Sequence, residues 1–342
     1  MGTTRGTLAG AHSRKIAAAR GAWAEYVDSD ELSDRLSLPR PVKRTPLRFL
    51  HELVESARAD RKHIVLPEGD DPRILRAAEM IHRRNFCDLT VLGEPESVRA
   101  LAQSEGIDLD FDAEGLHVVD FQHDDALREK YADEYVKLRS HKGVSKEQAL
   151  ERMTDGSYFG TMMVQMGDVD GMVSGAAHTT ANTIRPALEF VKTREGVNIV
   201  SSVFFMLLAD RVLVYGDCAV NPNPDEQALA DIALASAQTA REFGVEPRVA
   251  MLSYSTGGSG SGEDVERVRA ATDLVREAHP DFEVEGPIQY DAAVDASIAK
   301  SKLPGSNVAG QATVFVFPDL NTGNNTYKAC LLYTSDAADD TP

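Results

Sequence analysis

Short apolar runs recur along this chain, and most are separated by stretches of helical spacing; that alternation limits the fold more than any other feature. Strands are read at 63–67, 88–92, 116–120, 169–174, 199–208, 211–216, 248–253 and 313–317. Helices are read at 72–84, 123–140, 145–153, 157–167, 179–191, 224–243, 262–278 and 291–302. A parallel neighbour can be reached only through a crossover, so strands alternating with helices predict mostly parallel sheets. The run Thr313 to Phe317 is almost entirely apolar, as expected of a strand covered on both faces. With 342 residues the chain can form two α/β domains or one large one.

Charge narrows the partners. The formal balance is −18, so a polyanion is repelled at long range and nucleic-acid binding is not expected. Any phosphate site must be built locally from Arg side chains or backbone N–H groups. Cys87, Cys218 and Cys330 are widely spaced and form no metal-ligand pattern, so they read as free thiols and no metal is expected. The longest apolar run, Val203 to Ala209, is too short to cross a bilayer, and the N-terminus has no apolar signal core; a cytoplasmic protein off the membrane is the expectation.

The two ends differ from the body. Ser13 to Tyr26 reads as a helix and Leu36 to Pro46 as a Pro- and Arg-rich linker. Residues 1–45 are therefore read as the tail of an upstream domain plus its linker, with a transit peptide as the alternative. Cys330 to Asp340 resembles the translation of a sequencing adapter, and 330–342 are set aside as non-native.

Ligands in such sheets bind beyond the carboxyl ends of strands. Four strand-to-helix turns stand out there. In Leu66 to Arg73, Asp70 or Asp71 caps a helix, or Arg73 faces a ligand. In Ser174 to Pro186, small residues precede Thr179, Thr180 and Thr183; free N–H groups and hydroxyls could hold phosphate oxygens, with Arg185 as a bidentate donor. The alternative is capping by Thr179 or Thr180, and His178 alone reads more readily as structural. In Leu252 to Gly262, glycines would let the backbone approach a ligand closely, although no Lys follows as in a nucleotide-binding P-loop; a flexible surface turn is the alternative. In Phe317 to Lys328, Asp319 and Asn321 sit in a polar turn that could equally cap a last helix. A basic patch, Lys137 to Lys142, either complements a helix C-terminus or captures a phosphate on a long ligand.

Taken together, His63-Ile-Val-Leu-Pro-Glu-Gly-Asp, Val173-Ser-Gly-Ala-Ala-His-Thr-Thr-Ala-Asn-Thr-Ile-Arg-Pro, Ser201-Ser-Val-Phe-Phe-Met-Leu-Leu, Ala250-Met-Leu-Ser-Tyr-Ser-Thr-Gly and Phe317-Pro-Asp-Leu-Asn-Thr-Gly-Asn resemble, in order, the phosphate acetyl/butyryl transferase family in its long bacterial form. The resemblance implies two three-layer α/β domains with mostly parallel sheets and an interdomain cleft, a fold related to isocitrate and isopropylmalate dehydrogenases. Their expected ranges are 46–194 and 195–329. It implies acetyl transfer between coenzyme A and inorganic phosphate, with acetyl-CoA, phosphate and acetyl phosphate as substrates, no further cofactor, and a homo-oligomer dimerised through the second domain.

By resemblance Arg139 and Arg185 serve coenzyme A binding. The loops carrying Ser174, Gly175, His178, Thr179, Thr180 and Thr183, and Ser253, Ser255, Thr256 and Gly257, line the cleft. Arg73, Asp319 and Asn321 complete the expected substrate set. The sequence contains no Asp-Leu-Ser-Arg-Gly, the segment that carries the family's catalytic Ser and Arg; an inactive or nearly inactive polypeptide is therefore expected. Competing readings are an acyl-CoA-sensing module such as the tail of some malic enzymes, a butyryl-specific enzyme, and a metal-dependent dehydrogenase of the isocitrate type.

Overall fold

A computed structural model describes residues 45–193, 197–278 and 281–334. The helix read at Ser13 to Tyr26, nearly all of the linker and residues 335–342 lie outside the described residues.

Two sheets organise the chain. The first contains β1 (His63–Leu66), β2 (Asp88–Leu92), β3 (Leu116–Val119) and β4 (Gly171–Met172), in the order β3-β2-β1-β4, and every pairing is parallel. The second contains β5 (Val203–Leu207), β6 (Val212–Gly216), β7 (Arg248–Leu252), β8 (Glu283–Ile288) and β9 (Val314–Val316), in the order β5-β6-β9-β7-β8. Only β5 runs antiparallel, against β6.

Alternation along the strands builds three layers in each lobe. Val212, Val214, Val249, Met251, Val314 and Val316 face the helices Glu226–Glu242 and Glu263–Ala278. Leu213, Tyr215, Ala250, Leu252, Phe315 and Phe317 face the opposite way, onto a core completed by Ala292, Ala293 and Val308. The first sheet is flanked similarly. Leu66, Leu89 and Val91 pack toward Leu75 and Val98, whereas Val65 and Leu92 pack toward Tyr131, Phe159 and Met162.

Local chemistry sets the helix ends. The helix Pro72–Arg84 starts with Asp71 accepting from the Arg73 backbone N–H and with proline in its first turn. It ends on His82, Arg83 and Arg84 with Asn85 in the left-handed region, φ 57°. The expected helix 179–191 forms only to Pro186. That residue lacks an N–H, and the chain continues as a π-helical turn, Ala187–Val191.

Some expectations are revised. The continuous helix 291–302 is instead two pieces, Tyr290–Val294 and Ala296–Lys302, because the Asp295 carboxylate accepts from the Ser297 and Ile298 N–H groups and starts a new helix. Strand β8 and the helix Pro95–Ser104 are additions. Helix Pro46–Ala59, assigned from sequence to the first lobe, buries Phe49 in the second core, 5.2 Å from the Phe205 ring. The last helix, Leu320–Thr334, continues through Cys330, which packs against the second core.

Candidate functional site

The turn after β1 is organised by Glu68, a residue the sequence reading passed over. Its carboxylate is fully buried and collects five donors. Oε2 accepts from the Gly175 and Ala176 N–H groups, and Oε1 from those of Ala177 and His178, all at 2.9 Å. The His178 Nδ1 lies 2.7 Å from Oε1. Burial alone would raise this carboxyl, but the N–H groups of Ala177, His178 and Ala176 and the His178 ring outweigh it and hold it at about 2. Gly175 makes the turn possible, with φ 111°, a conformation side chains resist.

This arrangement corrects one expectation. The N–H groups of residues 175–178 are spent on Glu68, so they cannot hold phosphate oxygens. The Thr179 side chain caps its helix, accepting from the Asn182 N–H, and Thr183 Oγ1 donates to the Thr179 carbonyl. Arg73 is likewise engaged. Its guanidinium pairs with Asp71 through two N–H groups, at 3.0 and 2.6 Å, and donates to the Ala176 carbonyl at 2.5 Å, tying the first turn to the second. Thr180 stands exposed at the start of the helix, and Ser174 Oγ is buried without a protein partner.

Arg139 follows the helix Asp125–Leu138 and lines a cavity of about 630 Å³ with Tyr135, Lys142, Arg152, Asp155 and Glu189. Its Nη1 donates to the Glu189 carbonyl at 3.0 Å, and its Nε is buried without a protein partner. Beneath it the Glu189 carboxylate accepts from the Tyr135 hydroxyl at 2.8 Å and the Tyr158 hydroxyl at 3.1 Å. Burial, followed by this carboxylate, pushes the Tyr135 phenol up to about 12. Burial and the Glu189 charge push the Tyr158 phenol upward, opposed by the charges of Arg152 and, more weakly, of Arg185, which is exposed.

A second cavity, about 470 Å³, opens at the carboxyl ends of β1, β2 and β3. Pro67, Gly69, Gly93, Phe121 and His178 line it, and it shares Thr154 and Asp155 with the Arg139 cavity. The two form adjoining compartments, one with three cationic side chains and one without any.

The second lobe repeats the design. Buried Asp217, at the end of β6, accepts from the Ser202 hydroxyl, from the Ala219, Val220 and Asn221 N–H groups and from the Asn221 side chain, so its carboxyl is held below the usual range even though burial pushes it upward. Ser253 and Asp319, predicted from different turns, line one cavity of about 320 Å³ with Tyr254, Tyr290 and Phe317. Asp319 also takes the capping alternative, accepting from the Thr322 N–H and hydroxyl, each at 2.9 Å. Asn321 is exposed, with its carbonyl taken by Asn325.

The glycine-rich turn is internally bonded rather than loose. Ser255 and Thr256 are buried; Ser255 Oγ meets Ser259 Oγ, Thr256 exchanges hydrogen bonds with Gln289, and the Gly257 N–H donates to the Pro287 carbonyl. Ser255, Thr256 and Gly257 thus shape the turn. Among the described residues, no group of three or more His, Cys, Asp or Glu could hold a metal ion, and no helix is long and apolar enough to cross a membrane.

Fold and site together define an α/β protein with two sheets, each carrying a ligand-sized cavity at its carboxyl edge and a buried carboxylate that fixes the adjoining loop. The chain belongs to the phosphate acetyl/butaryl transferase family, which it matches over residues 48–338. It is 54% identical over 318 residues to a phosphate acetyltransferase of Nitratidesulfovibrio vulgaris, covering 93% of this chain and 44% of that protein. It is 50% identical over 307 residues to the phosphate acetyltransferase of Escherichia coli, covering 90% and 42%. The EutD phosphotransacetylase from Staphylococcus aureus superposes with a TM-score of 0.76 at 39% identity, covering 84% of this chain and 87% of that one. The chain spans less than half the length of the curated relatives it matches.

Proposed function

We propose that this chain forms the substrate-binding body of a phosphate acetyltransferase, acting on acetyl-CoA and phosphate to give acetyl phosphate and coenzyme A. One observation carries the reading: Arg139 stands in a cavity with Lys142 and Arg152, inside a chain of formal charge −18. Glu151, Asp155 and Glu189 line the same recess, so it is formally neutral within an acidic protein, and its three cationic donors are what suit a ligand that carries several phosphates. In this reading Arg185, whose charge acts weakly on Tyr158, supplies a further guanidinium to the ligand.

The chemistry asked of such a site is specific. A coenzyme A thiol is mostly neutral at pH 7 and must lose its proton before attacking the acetyl carbonyl. Donors must then meet the oxyanion and the departing phosphate, and both substrates must be held in line. The two lobes supply the walls in this reading, with helix Pro46–Ala59 packed on the second and Ser253 and Asp319 on that same lobe. Assembly as a homodimer through the second lobe and a cytoplasmic setting complete the proposal; nucleic acid and membrane are not partners in it.

Because the sequence lacks Asp-Leu-Ser-Arg-Gly, binding is the cleaner readout. Isothermal calorimetry is expected to show coenzyme A binding that weakens about 10- to 100-fold in Arg139→Ala, the equivalent of losing charge-assisted hydrogen bonds of roughly 1.5–3 kcal/mol. Arg139→Lys should restore only part of it, since an ammonium cannot reproduce the planar fork. Unchanged affinity in Arg139→Ala refutes the assignment.

A further inference from the structure

The compartment beside the Arg139 cavity has no Lys or Arg among its lining residues, and one lining residue, His178, is held under an unusual constraint. Glu68 is fully buried, anionic down to low pH, and already accepts four backbone N–H groups. At 2.7 Å from an anionic oxygen, His178 Nδ1 must carry a proton, because two acceptors that close would repel. That contact fixes which edge of the ring remains: in the neutral ring Nε2 keeps its lone pair, and His178 lines the cavity. The backbone N–H groups nearest to it face Glu68 instead of the cavity. Asp70, Glu94 and Asp155 add carboxylates to the wall.

We propose that Glu68 locks His178 in the Nδ1–H tautomer so that Nε2 accepts a hydrogen bond from an uncharged donor, the thiol or an amide N–H of a pantetheine-type arm, and that this compartment does not hold phosphate. The inference rests on the coenzyme A reading above and deepens it: the anionic end of the ligand lies with Arg139, and the neutral arm crosses at Thr154 and Asp155 toward His178. Glu68 is then a positioning residue acting through the ring. The carboxylates of the wall disfavour an anion in this compartment.

The test uses the uniformly ¹⁵N-labelled chain, with the His178 imidazole resonances identified by their loss in His178→Leu. The proposal requires an Nδ1–H pattern in the free protein. It also requires an Nε2 resonance that moves on adding pantetheine or coenzyme A and stays still on adding inorganic phosphate. Coenzyme A affinity by calorimetry should fall about 3- to 10-fold in His178→Leu, the worth of one neutral hydrogen bond. It should recover partly in His178→Gln, whose carbonyl can sit near the Nε2 position. Glu68→Asp should weaken the tautomer preference; if that variant does not fold, the His178 variants decide alone. An Nε2–H or doubly protonated ring in the free protein overturns the proposal, as does a response to phosphate without one to pantetheine, or undiminished affinity in His178→Leu. Coenzyme A binding that persists with a silent His178 sinks this inference and spares the coenzyme A reading; absence of binding in the wild-type chain sinks both.

Discussion

Replacing Glu68 by Gln changes one oxygen for a nitrogen at almost constant volume, and the structure says what that costs. Oε2 serves two backbone N–H groups; Oε1 serves two more and the His178 ring. Whichever way the amide turns, its NH₂ faces at least two donors, which are left buried without an acceptor. At about 1–3 kcal/mol for each stranded donor the expected loss is about 2–6 kcal/mol. Much of a domain's net stability would go with it. Urea unfolding followed by circular dichroism measures the loss, with His178→Leu as the control that removes one donor and keeps the Glu68 acceptor. A Glu68→Gln variant within about 0.5 kcal/mol of wild type, the spread of ordinary surface changes, would refute the view that this carboxylate organises the turn.

Three other outcomes follow from the same geometry. The Glu68 carboxyl is depressed from its ordinary 4.5 to about 2 in the folded chain, so its contribution is complete above about pH 4.5 and disappears as pH falls toward 2; acid titration should cost wild type about 3 kcal/mol more than Glu68→Gln across that window. Phe49→Ala should lose about 3–5 kcal/mol by urea unfolding, because the ring is 2% exposed inside the second core; a loss below 1 kcal/mol would show that helix Pro46–Ala59 is not docked there. Cys218 is fully buried, and burial followed by the Asp217 charge pushes its thiol up to about 12, so alkylation at pH 8 should spare it until denaturant is added, as peptide mass spectrometry would report.

The sheets were legible because their strands are covered on both faces. Val212 to Tyr215 and Val314 to Phe317 have no polar position to interrupt the apolar run, so length and flanking turns were enough. Strand β8 escaped because Glu283, Glu285, Gly286 and Pro287 look like a loop. Its place at the sheet edge tolerates that proline, and Gly286 is needed because a Cβ there would come within 2.5 Å of the Met251 Cβ. Phe49 could not be assigned to a lobe, since an amphipathic helix shows its apolar face but not the sheet that will receive it.

The candidate site was legible in part. Gly, Ser and Thr clusters marked the right turns, because a chain that bends tightly at a strand end needs those residues. What they do there depended on partners far away in sequence. Glu68 takes N–H groups more than 100 residues downstream, and Glu189 draws Tyr135 and Tyr158 together. A lone Glu after Pro67 carries no local sign that it will be buried. Its signal was indirect: a carboxylate at a strand end, and elsewhere a glycine-led turn with more N–H groups than acceptors.

A crystal soaked with coenzyme A tests directly whether Arg139 holds the anionic end of the ligand. Phosphate oxygens are expected within about 3 Å of the Arg139 guanidinium, in the recess shared with Lys142 and Arg152. Ligand density in any other part of the molecule, with Arg139 and Arg185 both turned to bulk solvent, would contradict it.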